Sequence, residues 1–129
     1  MEFRKQFIKQ RFIMYLPVPK LQQALEAGNI HIERNEQGEI VGYLWLENLK
    51  KKPISRIEEI CSVQRGLGTK LIQRAIEQRI HHTLELKVVE YNSNAIAFYQ
   101  HRGFVEVSRE HGKKINNITM HYGGKDMER

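Results

Sequence analysis

The sequence contains few cysteines, few prolines and no long apolar run. Its 129 residues include three prolines, one tryptophan and one cysteine, Cys61. A single cysteine cannot form a disulfide within the chain, which favours a reducing compartment, and we expect the cytoplasm. The apolar runs are too short to span a bilayer and the N-terminal stretch MEFRKQFIKQRF is charged throughout, so we expect neither a membrane segment nor a secretory signal.

Residues that bind metals are not grouped along the sequence. There is no C-x-x-C pair and no spaced set of cysteines and histidines. His81 and His82 are adjacent, so their side chains point away from each other on a helix or a strand. We therefore expect no metal site.

The charge balance is basic. Lysine and arginine number 21 against 15 acidic residues, a net charge of +6, and the basic residues cluster at 4–11, 50–52 and 65–74. Such an excess attracts nucleic acid, an anionic surface or a ligand that carries several phosphates. Solvated lysines with no partner give the same composition, so the charge alone leaves these alternatives open.

Hydrophobic periodicity predicts a chain in which strands and helices alternate. The predicted helices are 3–15, 20–28, 66–80 and 93–103, and the third places Leu71, Ile72, Ala75, Ile76 and Ile80 on one face. The predicted strands are 29–35, 39–49, 54–63, 83–90, 104–110 and 115–123. This pattern predicts one α/β domain, 1–129, with a central sheet flanked by helices on both faces. The last two strands, joined by HGKK, predict an antiparallel hairpin and therefore a mixed sheet.

The turn QRGLGTK joins a predicted strand to a predicted helix. Gly66 and Gly68 allow the backbone to approach a ligand closely, and the start of the helix offers unpaired N–H groups and a positive dipole end. Arg65 and Lys70 add positive charge. The turn therefore suits an anion, although a plain tight turn has the same residues. Its spacing matches neither a Walker loop nor a dinucleotide-binding unit.

Four further residues have both a structural and a chemical interpretation. Glu58 and Glu59 precede the glycine turn, and adjacent strand residues point to opposite faces, so only one of them can face a cleft. Each is by itself typical of a surface carboxylate near a basic loop. Tyr99 is typical of a core aromatic beside Phe98, and Cys61 of a small buried apolar residue.

The segment YNSNAIAFYQHRGF, residues 91–104, carries the most specific pattern in the chain. The predicted helix within it is capped by Ser93 or Asn94 and ends at Gly103. The segment resembles a motif of the GNAT superfamily of N-acetyltransferases, N-x-x-A-x-x-F-Y-x-x-x-G-F. Every specified position is filled here, by Asn92, Ala95, Phe98, Tyr99, Gly103 and Phe104.

The order of the predicted elements resembles the same superfamily over nearly the whole chain. The fold that this resemblance implies is a mixed, mostly antiparallel central sheet with helices on both faces. The first strand of the usual fold is missing here or is replaced by the N-terminal helix. One feature departs from the family pattern V-x-P-x-x-[QR]-x-x-G-x-G: Val63 stands only three residues before Gly66, so the loop is short and its binding of coenzyme A is in question.

The resemblance implies acetyl-coenzyme A as cosubstrate and no metal. The pyrophosphate would lie on the N–H groups of residues 65–70, the pantetheine arm would pair with the strand that ends near Val63, and Asn92 would steady the arm. Tyr99 would protonate the departing thiolate. Glu58 or Glu59, with a slight preference for Glu58, would take the proton of the amine. The cofactor-binding residues implied are Cys61, Val63, Arg65, Gly66, Leu67, Gly68, Thr69, Lys70, Asn92, Ala95 and Phe98.

The acceptor that the resemblance implies is a primary amine of a small polyamine-like molecule, of a protein or of an aminoacyl group on RNA. Acceptor specificity in the family corresponds here to residues 1–28 and to the loop EHGKK. An alternative is a non-catalytic module that keeps the fold and binds nucleic acid or a regulatory partner. The short loop favours this alternative, whereas Asn92 and Tyr99 argue against it. Many family members form homodimers, but no segment here specifies an interface.

Overall fold

Helices and strands follow one another in the order that the periodicity predicts. The computed structural model describes residues 18–123, so the predicted helix 3–15 and the replacement of a first strand lie outside the described residues. The helices are α1 (Val18–Glu26), α2 (Leu67–Gln78) and α3 (Ser93–His101). The strands are β1 (Ile30–Arg34), β2 (Ile40–Asn48), β3 (Ile54–Ser62), β4 (Thr83–Val89), β5 (Phe104–His111) and β6 (Asn116–Tyr122). No helix between residues 18 and 123 is long and apolar enough to cross a membrane.

The strands form one six-stranded sheet in the order β1-β2-β3-β4-β6-β5. The pairs β1 and β2, β4 and β6, and β5 and β6 are antiparallel, whereas β3 and β4 are parallel. The mixed, mostly antiparallel sheet is therefore confirmed, as is the hairpin predicted at its C-terminal end. The parallel pairing is short, because it joins only Ile54–Ile57 to Thr83–Leu86.

The chain divides into two compact units, and the division crosses β3 where this parallel pairing ends. Among the described residues, the first unit contains 18–47 and 58–77, and the second contains 48–57 and 78–123. The core of the first unit includes an apolar cluster that comprises Ala24, Ile30, Ile40, Tyr43, Trp45 and Cys61. Leu71 and Ala75 of α2 are fully buried, as the helical periodicity predicts.

The core of the second unit is built on β4, β5 and β6. Four of its side chains, Leu84, Leu86, Phe104 and Met120, are no more than 2% exposed. Leu84, Leu86 and Met120 alternate with more polar residues along β4 and β6, of which Glu85 is buried as well.

The end of α2 corrects one prediction. Ile80 is 76% exposed, so its assignment to the buried face of the helix was wrong. The helix stops at Gln78, and the N–H groups of Ile80 and His81 donate to Ser55 Oγ at 3.2 and 3.1 Å. The buried hydroxyl of Ser55 thus provides these two amides with an acceptor that replaces the next helical turn.

Candidate active site

The chain passes from β3 into α2 through a short, exposed loop. Ser62 Oγ donates to the carbonyl of Gln64 at 2.7 Å and accepts from the Gln64 N–H at 3.2 Å, which closes a tight turn. Gly66 follows with φ +85°, a left-handed conformation that L side chains rarely adopt. A Cβ at this position would have nothing within 4 Å, so the loop is open on this side. Glycine is required here by the backbone conformation and not by crowding.

The N-terminus of α2 combines backbone donors with positive charge. The first-turn N–H groups of a helix have no acceptor within the helix, and no acidic residue lies in the first turn of α2. The side chain of Arg65 is exposed and forms no ion pair among the described residues. An arginine beside the positive end of a helix dipole favours an anion at this point.

The ammonium group of Lys70 is less available to a bound anion than its sequence position suggests, because it is paired with Glu33. Its Nζ lies 3.2 Å from Glu33 Oε2, and Arg74 Nη1 lies 2.6 Å from Glu33 Oε1. Burial by itself raises the pKa of Glu33. The hydrogen bonds and charges of Arg74 and Lys70 lower the pKa by more than burial raises it, so the pKa of Glu33 lies below its ordinary value. Glu33 was not among the predicted site residues, because nothing in its local sequence signals a partner about 40 residues away along the chain.

The start of α2 is held against β2 by a close contact. A Cβ added to Gly42 would lie 2.5 Å from Leu67 Cδ2 and 3.1 Å from the Cys61 carbonyl oxygen. Leu67 is buried with 9% exposure, so its side chain anchors the first turn of the helix in the core. The glycine in β2 therefore permits the packing that fixes where α2 and the preceding loop begin.

The two glutamates of β3 have different surroundings. Glu58 is exposed, whereas Glu59 is half-buried and accepts a hydrogen bond from the hydroxyl of Tyr43. Tyr43 is completely buried, and burial, followed by the proximity of Cys61 and Glu59, raises the pKa of Tyr43 far above its ordinary value. The Tyr43 hydroxyl therefore stays protonated and donates to Glu59. The sequence analysis missed it, although its place in β2, the strand next to β3, was predicted correctly.

The other predicted cofactor residues of this unit divide by exposure. Cys61 is buried in the apolar cluster, which supports its interpretation as a core residue. The N–H of Val63 donates to the carbonyl of Val41 at 2.9 Å, so this amide is already engaged with β2. Thr69 is exposed and Gly68 is half-buried in the first turn of α2.

Asn92 begins α3 and corrects the predicted cap. Its backbone is not helical, with φ −84° and ψ 70°, and its Oδ1 accepts from the N–H of Ala95 at 3.3 Å. Ser93 and Asn94, the predicted caps, therefore lie within the helix, because the side chain one residue earlier reaches the free amide. The side-chain NH₂ of Asn92 remains as a donor, since the cap uses only the oxygen.

Tyr99 lies in a cluster of aromatic rings. Its ring centroid is 5.4 Å from that of Phe98 and 5.9 Å from that of Phe104, both in edge-to-face geometry. Phe104 in turn lies 5.5 Å from Tyr122, and Arg102 stacks on Phe98 with its guanidinium carbon 3.6 Å from the ring centroid. Tyr99 is half-buried, so these contacts fix its ring without enclosing it completely.

The predicted site residues thus form two sets, one in each compact unit. The first set comprises Glu58, Glu59, Cys61, Val63, Arg65, Gly66, Leu67, Gly68, Thr69 and Lys70. The second set comprises Asn92, Ala95, Phe98 and Tyr99. Their chemical roles remain predictions. Among residues 18–123, no group of three or more histidine, cysteine, aspartate or glutamate side chains is placed to hold a metal ion.

Solved structures with the same fold include several acetyltransferases. The NatC complex bound to Gag peptide and CoA matches with a TM-score of 0.73 and 14% identity, over 94% of this chain and 88% of that chain. The ribosomal-protein-S18-alanine N-acetyltransferase from Escherichia coli matches with a TM-score of 0.66 and 19% identity, over 84% and 77%. Nourseothricin acetyltransferase matches with a TM-score of 0.63 and 20% identity, over 72% of this chain and 63% of that chain.

These identities establish a common fold, and this chain spans less than two thirds of the length of nourseothricin acetyltransferase. No curated protein sequence matches the chain significantly. Residues 3–104 match the sequence profile of the acetyltransferase (GNAT) family. That match covers well over half of the sequence and confirms the resemblance seen in the motif at residues 92–104. The chain belongs to the GNAT family of acetyltransferases.

Proposed function

We propose that the protein transfers an acetyl group from acetyl-coenzyme A to the nitrogen of a primary amine. Family membership supports acetyl transfer, and the N-acetyltransferases among the structural neighbours support nitrogen as the acceptor atom. The observation that carries the proposal is the open loop at Gly66, because it leads into a helix N-terminus with no acidic residue in its first turn. The nature of the amine stays open among a small molecule, a protein and an aminoacyl group on RNA.

The first unit holds the pyrophosphate in this proposal. The backbone N–H groups of residues 65–70 donate to the phosphate oxygens, and the exposed Arg65 supplies the positive charge. Lys70 contributes less, because its ammonium is paired with Glu33. The pantetheine arm runs beside the last residues of β3. The Val63 N–H already donates to the carbonyl of Val41, so other backbone groups of the strand form the hydrogen bonds to the arm.

The second unit supplies the acid. Tyr99 donates its phenolic proton to the thiolate as the bond between the carbonyl carbon and sulfur breaks, and the amine nitrogen forms the new bond to that carbon. The ring contacts with Phe98 and Phe104 hold the phenol in one orientation, which a proton donor requires. The NH₂ group of Asn92 donates to a carbonyl of the pantetheine arm, and Ala95 and Phe98 line the same side of α3.

Glu58 is the proposed base. An amine with a pKa of about 10.4 is almost entirely protonated at pH 7, and deprotonation costs roughly 4 to 5 kcal/mol. Glu58 is exposed to solvent and can accept that proton directly or through water. The carboxylate of Glu59 is half-buried and already accepts a hydrogen bond from the Tyr43 hydroxyl, so part of its acceptor capacity is in use.

The experiment that tests this function measures transfer itself. The purified chain is incubated with acetyl-coenzyme A and a panel of primary amines that includes polyamines and peptides with free N-termini. Release of the coenzyme thiol is followed by a chromogenic disulfide, and the product by the mass of one acetyl group. Transfer to at least one amine, lost in the variant Glu58→Gln and retained in Glu59→Gln, supports the proposal. If no amine is acetylated and acetyl-coenzyme A does not raise the melting temperature, the protein is not an acetyltransferase.

A further inference from the structure

The turn between β2 and β3 carries three consecutive lysines around a pocket. Leu49, Lys50, Lys51, Lys52 and Arg56 line a cavity of about 320 Å³. All five residues belong to the second compact unit. The wall of this pocket contains four cationic side chains and no carboxylate, so it is suited to an anion.

The backbone of this turn is fixed by hydrogen bonds. The Leu49 N–H donates to the carbonyl of Ile54 at 2.9 Å, and the Ile54 N–H donates to the carbonyl of Lys52 at 2.8 Å. The Leu49 carbonyl also lies 2.8 Å from Nε2 of His81. A turn held at both ends fixes the backbone of the three lysines before any ligand arrives, which lowers the ordering cost of binding.

The positive charge of the pocket comes mainly from the lysines. Arg56 Nε lies 2.9 Å from Glu85 Oε2, and Glu85 Oε1 lies 3.1 Å from Nε2 of His121, so the charge of the arginine is largely compensated. No ion pair with a described carboxylate involves any of the residues 50–52, and all three are exposed. Three like charges side by side repel one another, and an anion that bridges them relieves this repulsion.

We propose that this lysine pocket binds a compact polyphosphate, an anion with two or three linked phosphate groups. Each ammonium can donate up to three hydrogen bonds, and several phosphate oxygens can accept them at once. The volume lies at the lower end of the range for small-ligand sites, which favours a compact anion over the extended backbone of a nucleic acid. Four of the five lining residues precede β3 and Arg56 is its third residue, whereas the loop at Gly66 follows that nine-residue strand, so the two anion sites are separate parts of the chain.

The test uses inorganic tripolyphosphate and ATP as probes of the full chain in the absence of coenzyme A. Binding is measured by calorimetry at low and moderate salt, and its location by shifts of backbone amide resonances. The variant Lys51→Gln/Lys52→Gln removes two charges from the pocket, and the matched control Lys113→Gln/Lys114→Gln removes two exposed charges from the turn between β5 and β6. Circular dichroism verifies that both variants are folded.

We expect saturable binding with amide shifts at residues 49–56, and affinity at least about tenfold weaker in the pocket variant but within about twofold in the control. Equal affinity for tripolyphosphate and ATP means that the pocket recognises the phosphates alone. Tighter binding of ATP means that the pocket also contacts the nucleoside. Shifts confined to residues 64–70, or equal losses in both variants, overturn the proposal. The proposal is also overturned, in favour of a nucleic-acid surface, if a twelve-nucleotide RNA binds more than tenfold more tightly than tripolyphosphate and the pocket variant weakens this RNA binding.

Discussion

Substitution of Gly42 by alanine tests how the loop at Gly66 is positioned. A Cβ at residue 42 would lie 2.5 Å from Leu67 Cδ2 and 3.1 Å from the backbone oxygen of Cys61. Ordinary contacts of a Cβ begin near 3.4 Å, so one of these neighbours must move. Leu67 is the first residue of α2, and its displacement shifts the helix N-terminus that we propose as the pyrophosphate site.

The size of the effect follows from two opposing contributions. Overpacking of a buried site costs about 1 to 3 kcal/mol, and the reduced entropy of alanine in the unfolded chain returns about 0.5 to 1 kcal/mol. We therefore expect Gly42→Ala to lower the free energy of unfolding by up to about 2.5 kcal/mol. The affinity for acetyl-coenzyme A should fall as well, because the loop amides no longer hold their positions.

The assay is a double-mutant cycle with Leu67→Ala, followed by urea denaturation. Leu67→Ala alone costs about 2 to 5 kcal/mol, since it empties a buried site. In its background Gly42→Ala should cost less, because the nearer of the two atoms that the new Cβ would contact is absent, and the coupling between the two changes should exceed about 1 kcal/mol. An equal cost of Gly42→Ala in both backgrounds, or an unchanged affinity for acetyl-coenzyme A, would show that this contact does not position the loop.

Three further predictions concern the second unit. Tyr99→Phe keeps the ring contacts with Phe98 and Phe104, so we expect a melting temperature close to that of the wild type. Because the variant lacks the phenolic proton, kcat in the transfer assay should be at least about 10²-fold lower. An unchanged kcat would show that the role of Tyr99 is purely structural. Asn92→Asp retains the cap acceptor but loses the NH₂ donor, so its stability should match that of the wild type while KM for acetyl-coenzyme A rises. Asn92→Ala loses both groups, so it should also lose about 0.5 to 2 kcal/mol of stability in urea. Equal stability of the two variants would contradict the role of Asn92 as the cap. Burial by itself raises the pKa of Glu85, but the hydrogen bonds and charges of His121 and Arg56 bring this pKa below the ordinary 4.5. The wild type should therefore be more stable than Glu85→Gln by its full amount at pH 7, and this difference should shrink as the pH falls below 4.5. A difference in urea titrations that stays constant down to pH 3 would contradict this.

The order of helices and strands was predictable because it depends on local periodicity. Alternation marks β1, a continuous apolar run marks β2, and the 3.6-residue repeat marks α2, whose Leu71 and Ala75 are fully buried. The end of α2 was not predictable in the same way. Ile80 continues the apolar repeat, but a hydroxyl from β3 accepts the amide hydrogen bonds there and ends the helix earlier.

The candidate site was predictable only where its residues are close in sequence. The motif at residues 92–104 and the glycine turn are local patterns, so both were identified before the fold was known. The pairing of Lys70 with Glu33 and the hydrogen bond from Tyr43 to Glu59 depend on which elements lie side by side. Such contacts follow from tertiary packing, and no spacing rule within a single helix or strand predicts them.

The position of bound acetyl-coenzyme A tests the central claim most directly. In a crystal structure of the complex, we expect the pyrophosphate oxygens at about 2.7 to 3.2 Å from backbone nitrogens within residues 65–70. A coenzyme whose pyrophosphate lies at residues 49–56, or anywhere else away from the N-terminus of α2, would contradict the account.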